Sequence, residues 1–251
     1  MLELRSISKV FGELKVLRRI DLQLVEGERH SIIGPNGAGK STLMNILSGK
    51  LSPSSGAVVY RGRDITHLPA FRRARDGIGR AFQIINTFPN LTVFENVQSA
   101  CMSSLNRRFD VSHVLATARK ISEMTEEVMD QVNLSVRRSV RASALAYGEQ
   151  RALEIALCLA LNPQLMLLDE PCAGLNASDT NVAIDLIKRV SHGRTLLLIE
   201  HDMDVVFGLA DRVSVLSEGV VLATGTPLEV RRNVDVQRAY LGKSFDVDMH
   251  H

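Results

Sequence analysis

The sequence predicts an α/β fold with a mixed core sheet, an antiparallel β subdomain and an inserted α-helical subdomain, and three observations carry that expectation. A strand ending in a glycine-rich turn runs straight into a helix over IIGPNGAGKST, residues 32–42. Two continuous apolar runs, 165–168 and 196–199, the second opened by Thr195, have the composition of strands buried on both faces, as a parallel sheet requires. Between them and the opening strands, from about residue 84 to 161, the apolar period changes to that of a helix.

The elements follow in order. Leu2 with Leu4, and Leu22 with Leu24, alternate as strands in a β-rich opening up to about residue 60, interrupted by a helix over 40–48. Ile121, Met124, Val128 and Val132 recur at helical spacing, as do Leu153, Ala156, Leu157, Ala160 and Leu161. Pro163 stops the second of these helices, and strand 165–168, a helix near 182–190 and strand 195–199 form a β-α-β unit. Thr226, Pro227 and Glu229 spell a helix start, with threonine as cap, proline in the first turn and glutamate bonding back. With no internal repeat and no Pro/Ser-rich linker, residues 1–243 read as one domain with the helical subdomain inserted, and 244–251 as a tail in which His250 and His251 resemble a purification-tag remnant.

Composition excludes several classes. In 251 residues, 30 Lys and Arg face 28 Asp and Glu, too even a balance for a sequence-independent nucleic-acid binder, so no nucleic-acid partner is expected. Arg72, Arg73, Arg75 and Arg80 form a basic cluster without interleaved aromatics, read as a solvated face. Cys101, Cys158 and Cys172 lie far apart with no CxxC, which argues against zinc or a disulfide framework and for a reducing cytosol. Every apolar run falls short of the ~18 residues that span a bilayer, so membrane association is expected through another protein.

The chemistry starts at Gly34, Pro35, Asn36, Gly37, Ala38, Gly39, Lys40, Ser41 and Thr42, which match G-x-x-x-x-G-K-[ST] between a strand and a helix. Glycines let successive N–H groups turn inward on phosphate oxygens, and the helix start adds partial positive charge. Lys40 is expected on the β- and γ-phosphates of ATP and Ser41 on Mg²⁺. Alone, the loop fits a kinase, a GTPase, a helicase or a transporter motor. Asp169 and Glu170 end the 165–168 strand, where open α/β sheets bind ligands. Asp169 is placed to hold the metal and Glu170 to polarise a water in line with the γ-phosphate.

LAYGEQ, residues 145–150, lies ahead of that strand and resembles the signature motif of the ABC ATPase family. The resemblance implies that Ala146, Tyr147, Gly148 and Glu149 meet ATP held by a second subunit, so that the active site is completed by dimerisation. It further implies that Gln83 is the glutamine sensing metal and water, that His201 contacts the γ-phosphate, and that residues 173–176 cross the dimer interface. Phe11 is similar in place to the aromatic that stacks on adenine, although a core position suits it equally. Two departures stand out: Ala146 lacks the usual serine hydroxyl, and Asn176 replaces the usual aspartate.

Within the family, RAFQIINTFPNLTVFENV, LAYGEQRALEIALCLA, LLDEPCAGLN, IEHDMDVV and GTPLEVRRNVDVQRAYLG resemble motors of branched-chain amino acid importers. That resemblance implies an ATPase at the cytoplasmic face of a bacterial inner membrane, bound peripherally. Its partners would be a second ABC ATPase subunit, identical or paralogous, transmembrane permease subunits and, indirectly, an external binding protein. A urea or short-amide importer motor reads much alike. A soluble ABC ATPase is disfavoured because no long coiled coil or second cassette is present. Residues 88–94, apolar and just beyond Gln83, are expected to dock the membrane subunit.

Overall fold

The computed structural model describes residues 1–81, 87–105 and 114–240. The chain opens with strands β1 (Leu2–Phe11), β2 (Leu14–Leu24) and β3 (Arg29–Ile33), then helix α1 (Lys40–Leu47), strands β4 (Ser55–Tyr60) and β5 (Arg63–Asp64), and α2 (Ala70–Arg75). Next come β6 (Ile78–Ala81), helices α3 (Val93–Ser104), α4 (Val114–Gln131) and α5 (Tyr147–Leu159), β7 (Leu165–Asp169) and α6 (Ala177–Val190). The chain closes with β8 (Thr195–Ile199), α7 (Met203–Leu209), β9 (Arg212–Ser217), β10 (Val220–Gly225), α8 (Pro227–Arg232) and α9 (Val234–Tyr240). Two compact units result: Met1–Arg73 with the stretch from Thr195 on, and Ala74–Arg194.

In the first unit β2, β1, β4 and β5 form an antiparallel sheet. Leu2, Leu4, Ile7, Leu17, Ile20 and Leu24 are buried at its core, so the predicted alternation is real. β3 runs parallel to both β8 and β9, with Ile32 opposite Ile199 and Ile33 opposite Val215, and β10 pairs antiparallel with β9. All five residues of β8 are buried, as its unbroken apolar run predicts. A polar thread crosses this sheet. His30, wholly buried, has Nδ1 2.7 Å from Glu28 Oε1 and Nε2 2.8 Å from Ser214 Oγ, which lies 2.7 Å from Thr224 Oγ1. Burial pushes the Glu28 carboxyl up, but its bonds to His30 and the Val25 N–H outweigh that and hold it below the usual carboxylate range.

α1 is finished by a residue distant in sequence. The Arg73 guanidinium donates to Ile46 O at 2.7 Å and Leu47 O at 2.9 Å, at the helix C-terminus, and to Leu68 O and Thr66 O, both at 2.9 Å. A cation there satisfies carbonyls the helix leaves unpaired and complements its dipole. Gly49 is required beside it, because a Cβ would stand 2.9 Å from Arg73 Nε. The solvated basic face expected at residues 72–80 is corrected for two of its four arginines: Arg73 is 1% exposed and Arg80 is drawn into an ion pair described below, while Arg72 and Arg75 are exposed. Composition shows the charge of such a run but not the carbonyls that fold back onto it.

In the second unit β6 and β7 run parallel, Ile78 opposite Leu165 and Arg80 opposite Leu167. Gly79 lets α5 approach β6, since a Cβ would be 2.6 Å from Cys158 Sγ and 2.9 Å from Pro163 Cβ. α3 starts with a reciprocal cap: Glu95 N–H donates to Thr92 Oγ1, and Glu95 Oε2 accepts from Thr92 N–H. α8 starts the same way with Thr226 and Glu229, and Pro227 in its first turn, as the sequence predicts. Within 88–94, Phe88 is 58% exposed while Val93 is fully buried, so the expected apolar docking stretch shrinks toward its first residue. The Phe88 backbone is clamped by Asn96, which accepts from its N–H at 2.8 Å and donates to its carbonyl at 3.1 Å. No helix among the described residues is long and apolar enough to cross a membrane.

Candidate functional site

In the first unit, β3 delivers the chain into the glycine-rich loop. Gly34 has φ 152° and a Cβ there would lie 2.0 Å from Leu216 O on β9, so no side chain fits without moving the neighbouring strand. Gly39, at φ 103°, caps α1 in a left-handed conformation, and a Cβ would strike Leu17 Cδ2 at 2.6 Å. No side chain caps α1 and its first turn holds no acidic residue, so the helix start presents N–H groups and positive potential to an anion. Lys40 is mostly buried and lies back across the loop, donating from Nζ to Gly34 O at 2.6 Å and Pro35 O at 3.0 Å. The loop thus holds its own ammonium where phosphate oxygens would converge. Asn36, Gly37 and Ser41 are exposed, Pro35 and Thr42 half-buried and Ala38 buried, so the Ser41 hydroxyl is open to a ligand.

His201 follows the end of β8 and is exposed, with its N–H donating to Glu200 Oε2 at 3.2 Å. Phe11 ends β1 and is 47% exposed, which rules out the core alternative. Lys9 Nζ lies 5.0 Å from its ring centroid and is tethered to Ser52 O at 2.8 Å, a cation–π pair on a ring otherwise presented to solvent. Gln83 lies outside the described residues.

In the second unit, β7 brings Asp169 to its C-terminal end. Arg80 of β6 donates from Nη2 to Asp169 Oδ2 at 3.1 Å, with both side chains largely buried. Burial lowers the Arg80 pKa more than Asp169 restores it. The sequence held no sign of this pair, because only parallel registration of β6 and β7 brings 80 beside 169. Glu170 takes φ 50°, unusual for a residue with a side chain. The turn after it is closed by Ala173 N–H to Glu170 O at 3.2 Å and Leu175 N–H to Cys172 O at 3.2 Å. Asn176 caps α6, accepting from Asp179 N–H at 2.9 Å and donating to Asp179 Oδ2 at 2.8 Å, so the residue read as a lost interfacial charge has a local task.

α5 begins at Tyr147, with Ala146 as a cap that has no acceptor of its own. Glu149 Oε2 accepts the Ala146 N–H at 3.0 Å and Oε1 accepts from Arg137 Nε at 2.7 Å. That bond to Arg137 leads the causes holding the Glu149 carboxyl below its ordinary range. Gly148 has no neighbour closer than 4.0 Å to an added Cβ, so nothing in its own chain demands glycine. The Tyr147 side chain is engaged internally, its hydroxyl donating to Ala173 O at 3.0 Å.

A glycine-rich loop leading from a strand into a helix in the first unit, and two carboxylates closing a buried strand in the second, are each features of nucleotide-hydrolysing P-loop proteins. The chain belongs to the ABC transporter ATP-binding family, whose model, described as ABC transporter, matches residues 17–173. More narrowly, residues 220–246 match the model described as branched-chain amino acid ATP-binding cassette transporter. The chain is 41% identical over 252 residues to the high-affinity branched-chain amino acid transport ATP-binding protein LivG of Salmonella typhimurium, covering 97% of this chain and 98% of the relative. It is 38% identical over 251 residues to the high-affinity branched-chain amino acid transport ATP-binding protein BraF of Pseudomonas aeruginosa, covering 97% and 98%. Among solved structures, the dimeric post-hydrolysis state of the ATP-binding cassette MJ0796 bound to ADP and Pi matches with a TM-score of 0.77 at 27% identity, covering 90% of this chain and 99% of that one. The chain is an ATPase of ABC type, and the predicted α/β class is borne out.

Proposed function

We propose that this ATPase is the motor of a bacterial importer for branched-chain amino acids. It sits peripherally on the cytoplasmic face of the inner membrane and works with a second ABC subunit, permease subunits and, through them, an external binding protein. The observation that carries the reading is the near-full-length likeness to LivG and BraF together with the matched C-terminal model over 220–246.

The residues have separable tasks. The 34–42 loop and Lys40 hold the β- and γ-phosphates of ATP, and the exposed face of Phe11 takes the adenine. Among the described residues no three His, Cys, Asp or Glu gather as a metal site, which fits an ion coordinated largely by nucleotide oxygens and water. Ser41, Asp169 and Gln83 would complete its shell, and Mg²⁺ would neutralise phosphate charge. Glu170 orients the attacking water and accepts its proton as the water oxygen bonds to the γ-phosphorus and ADP leaves. His201 steadies the γ-phosphate oxygens. The turn 146–149 meets the second subunit's nucleotide through backbone N–H groups, since the Tyr147 hydroxyl is already engaged and Gly148 leaves room for close approach.

In a strain lacking its own copy, the wild-type chain is expected to restore uptake of radiolabelled leucine, and Lys40→Ala to abolish it. Restored uptake of urea or acetamide instead of leucine would overturn the substrate assignment. The exposed Phe88 ring, on a backbone clamped by Asn96, is the expected permease contact. Phe88→Cys should therefore crosslink to a permease loop bearing an introduced cysteine. Crosslinks formed only from other faces of the chain would refute that placement.

A further inference from the structure

The start of α5 and the turn after β7 are joined by one side chain. Tyr147 donates its phenolic proton to Ala173 O at 3.0 Å, and Arg151, one helical turn later, donates from Nη2 to the same phenol oxygen at 2.7 Å. The guanidinium carbon lies 5.0 Å from the tyrosine ring centroid, and Nη1 is held by Glu154 Oε2 at 2.9 Å, with both partners' side chains mostly buried. A hydroxyl that accepts from a cation while donating to a carbonyl is polarised, and its own bond strengthens. Gly174, at φ 78°, lets the turn pass close under the ring: a Cβ there would be 3.2 Å from the phenol oxygen and 3.4 Å from Cε1.

Ala173 is held at both of its backbone polar groups. Its carbonyl accepts from Tyr147, and its N–H donates to Glu170 O at 3.2 Å. Glu170 stands at φ 50°, a backbone state that persists only where its surroundings impose it. The path Arg151, Tyr147, Ala173, Glu170 is therefore a chain of direct bonds from the first turn of α5 to the positive-φ residue that follows β7.

The geometry points to Tyr147 as a positioning residue, backed by Arg151, that sets the Glu170 backbone according to the position of its own α5 start. This rests on the reading of that helix start as the part that meets the second subunit's nucleotide. Its consequence is that each subunit readies its own water-activating carboxylate in response to the nucleotide bound by its partner. The coupling needs no contact between Tyr147 and phosphate. It requires only that closure on the partner's nucleotide moves the first turn of α5.

The test uses the full chain. Tyr147→Phe keeps the ring and deletes the hydroxyl, and is expected to lower kcat for Mg-ATP about five- to tenfold. The half-saturating ATP concentration and the melting temperature should stay at wild-type values, while the Hill coefficient for ATP falls from about 2 toward 1. Arg151→Met should lower kcat about two- to threefold alone and add nothing in the Tyr147→Phe background, as expected for residues acting in series. Unchanged kcat in Tyr147→Phe would overturn the assignment, as would full additivity with Arg151→Met or a parallel fall in melting temperature. ATP-dependent dimerisation of Glu170→Gln, followed by size-exclusion chromatography, checks the underlying reading separately. If that dimer fails to form, the two-subunit site is wrong whatever Tyr147 does; if it forms and Tyr147→Phe is silent, only the coupling is wrong.

Discussion

Glu170→Gln is expected to slow ATP turnover on the order of a hundredfold or more while ATP binding persists. The amide preserves the size of the side chain and an oxygen able to orient a water, but it does not accept the proton that the attacking water must lose. The substitution is also conformationally quiet: Glu170 sits at φ 50° in a turn that Ala173 closes onto its carbonyl, and glutamine meets the same backbone demand as glutamate. Steady-state phosphate release beside equilibrium nucleotide binding reads the two effects apart. A kcat within about threefold of wild type would remove Glu170 from the general-base role, since that residual effect is too small for a lost proton acceptor.

Arg73→Met is expected to destabilise the chain by about 3–5 kcal/mol, although it touches no residue of the phosphate loop. The guanidinium serves four backbone carbonyls, two at the C-terminus of α1 and two in the segment 66–68. Methionine fills the same space with no donor, leaving several buried acceptors without their cation. Burial lowers the Arg73 pKa, yet an arginine starts so high that it stays charged at neutral pH. Arg73→Lys should recover part of the loss, because an ammonium is a point donor and lacks the planar fork that spans these carbonyls. Thermal melts should show a drop of roughly 10 °C for the methionine variant. A change under about 2 °C would mean that water replaces the guanidinium freely.

The elements legible in the sequence were those with punctuation at both ends. Gly39 opens α1, Thr226 and Pro227 open α8, and unbroken apolar runs mark β7 and β8, so each lies within a residue or two of its expected place. The places of the glycine-rich loop, between β3 and α1, and of Asp169 and Glu170, at the end of β7, were equally legible. What escaped was pairing at a distance. Arg73 and Arg80 look alike in a row of arginines, yet one finishes a helix and the other neutralises a carboxylate 89 positions away. His30 and Ser214 are separated by 184 positions and gave no periodic sign. Tyr147 lies in a motif that points to phosphates, while its hydroxyl is committed to Ala173. Phe11, open between core and surface by sequence, is settled by its exposure.

The burial of Cys101, Cys158 and Cys172 has a practical corollary. Cys158, packed against Gly79, has its thiol pushed up to about 12 by desolvation, and desolvation raises Cys101 as well. At pH 8 only roughly one Cys158 in ten thousand carries the nucleophilic thiolate. With tryptophan absent from the chain, both sulfhydryl reagents and indole fluorescence meet a quiet background. One maleimide dye or one introduced Trp at an exposed position would test the proposed opening and closing of a subunit pair without stripping the native cysteines first.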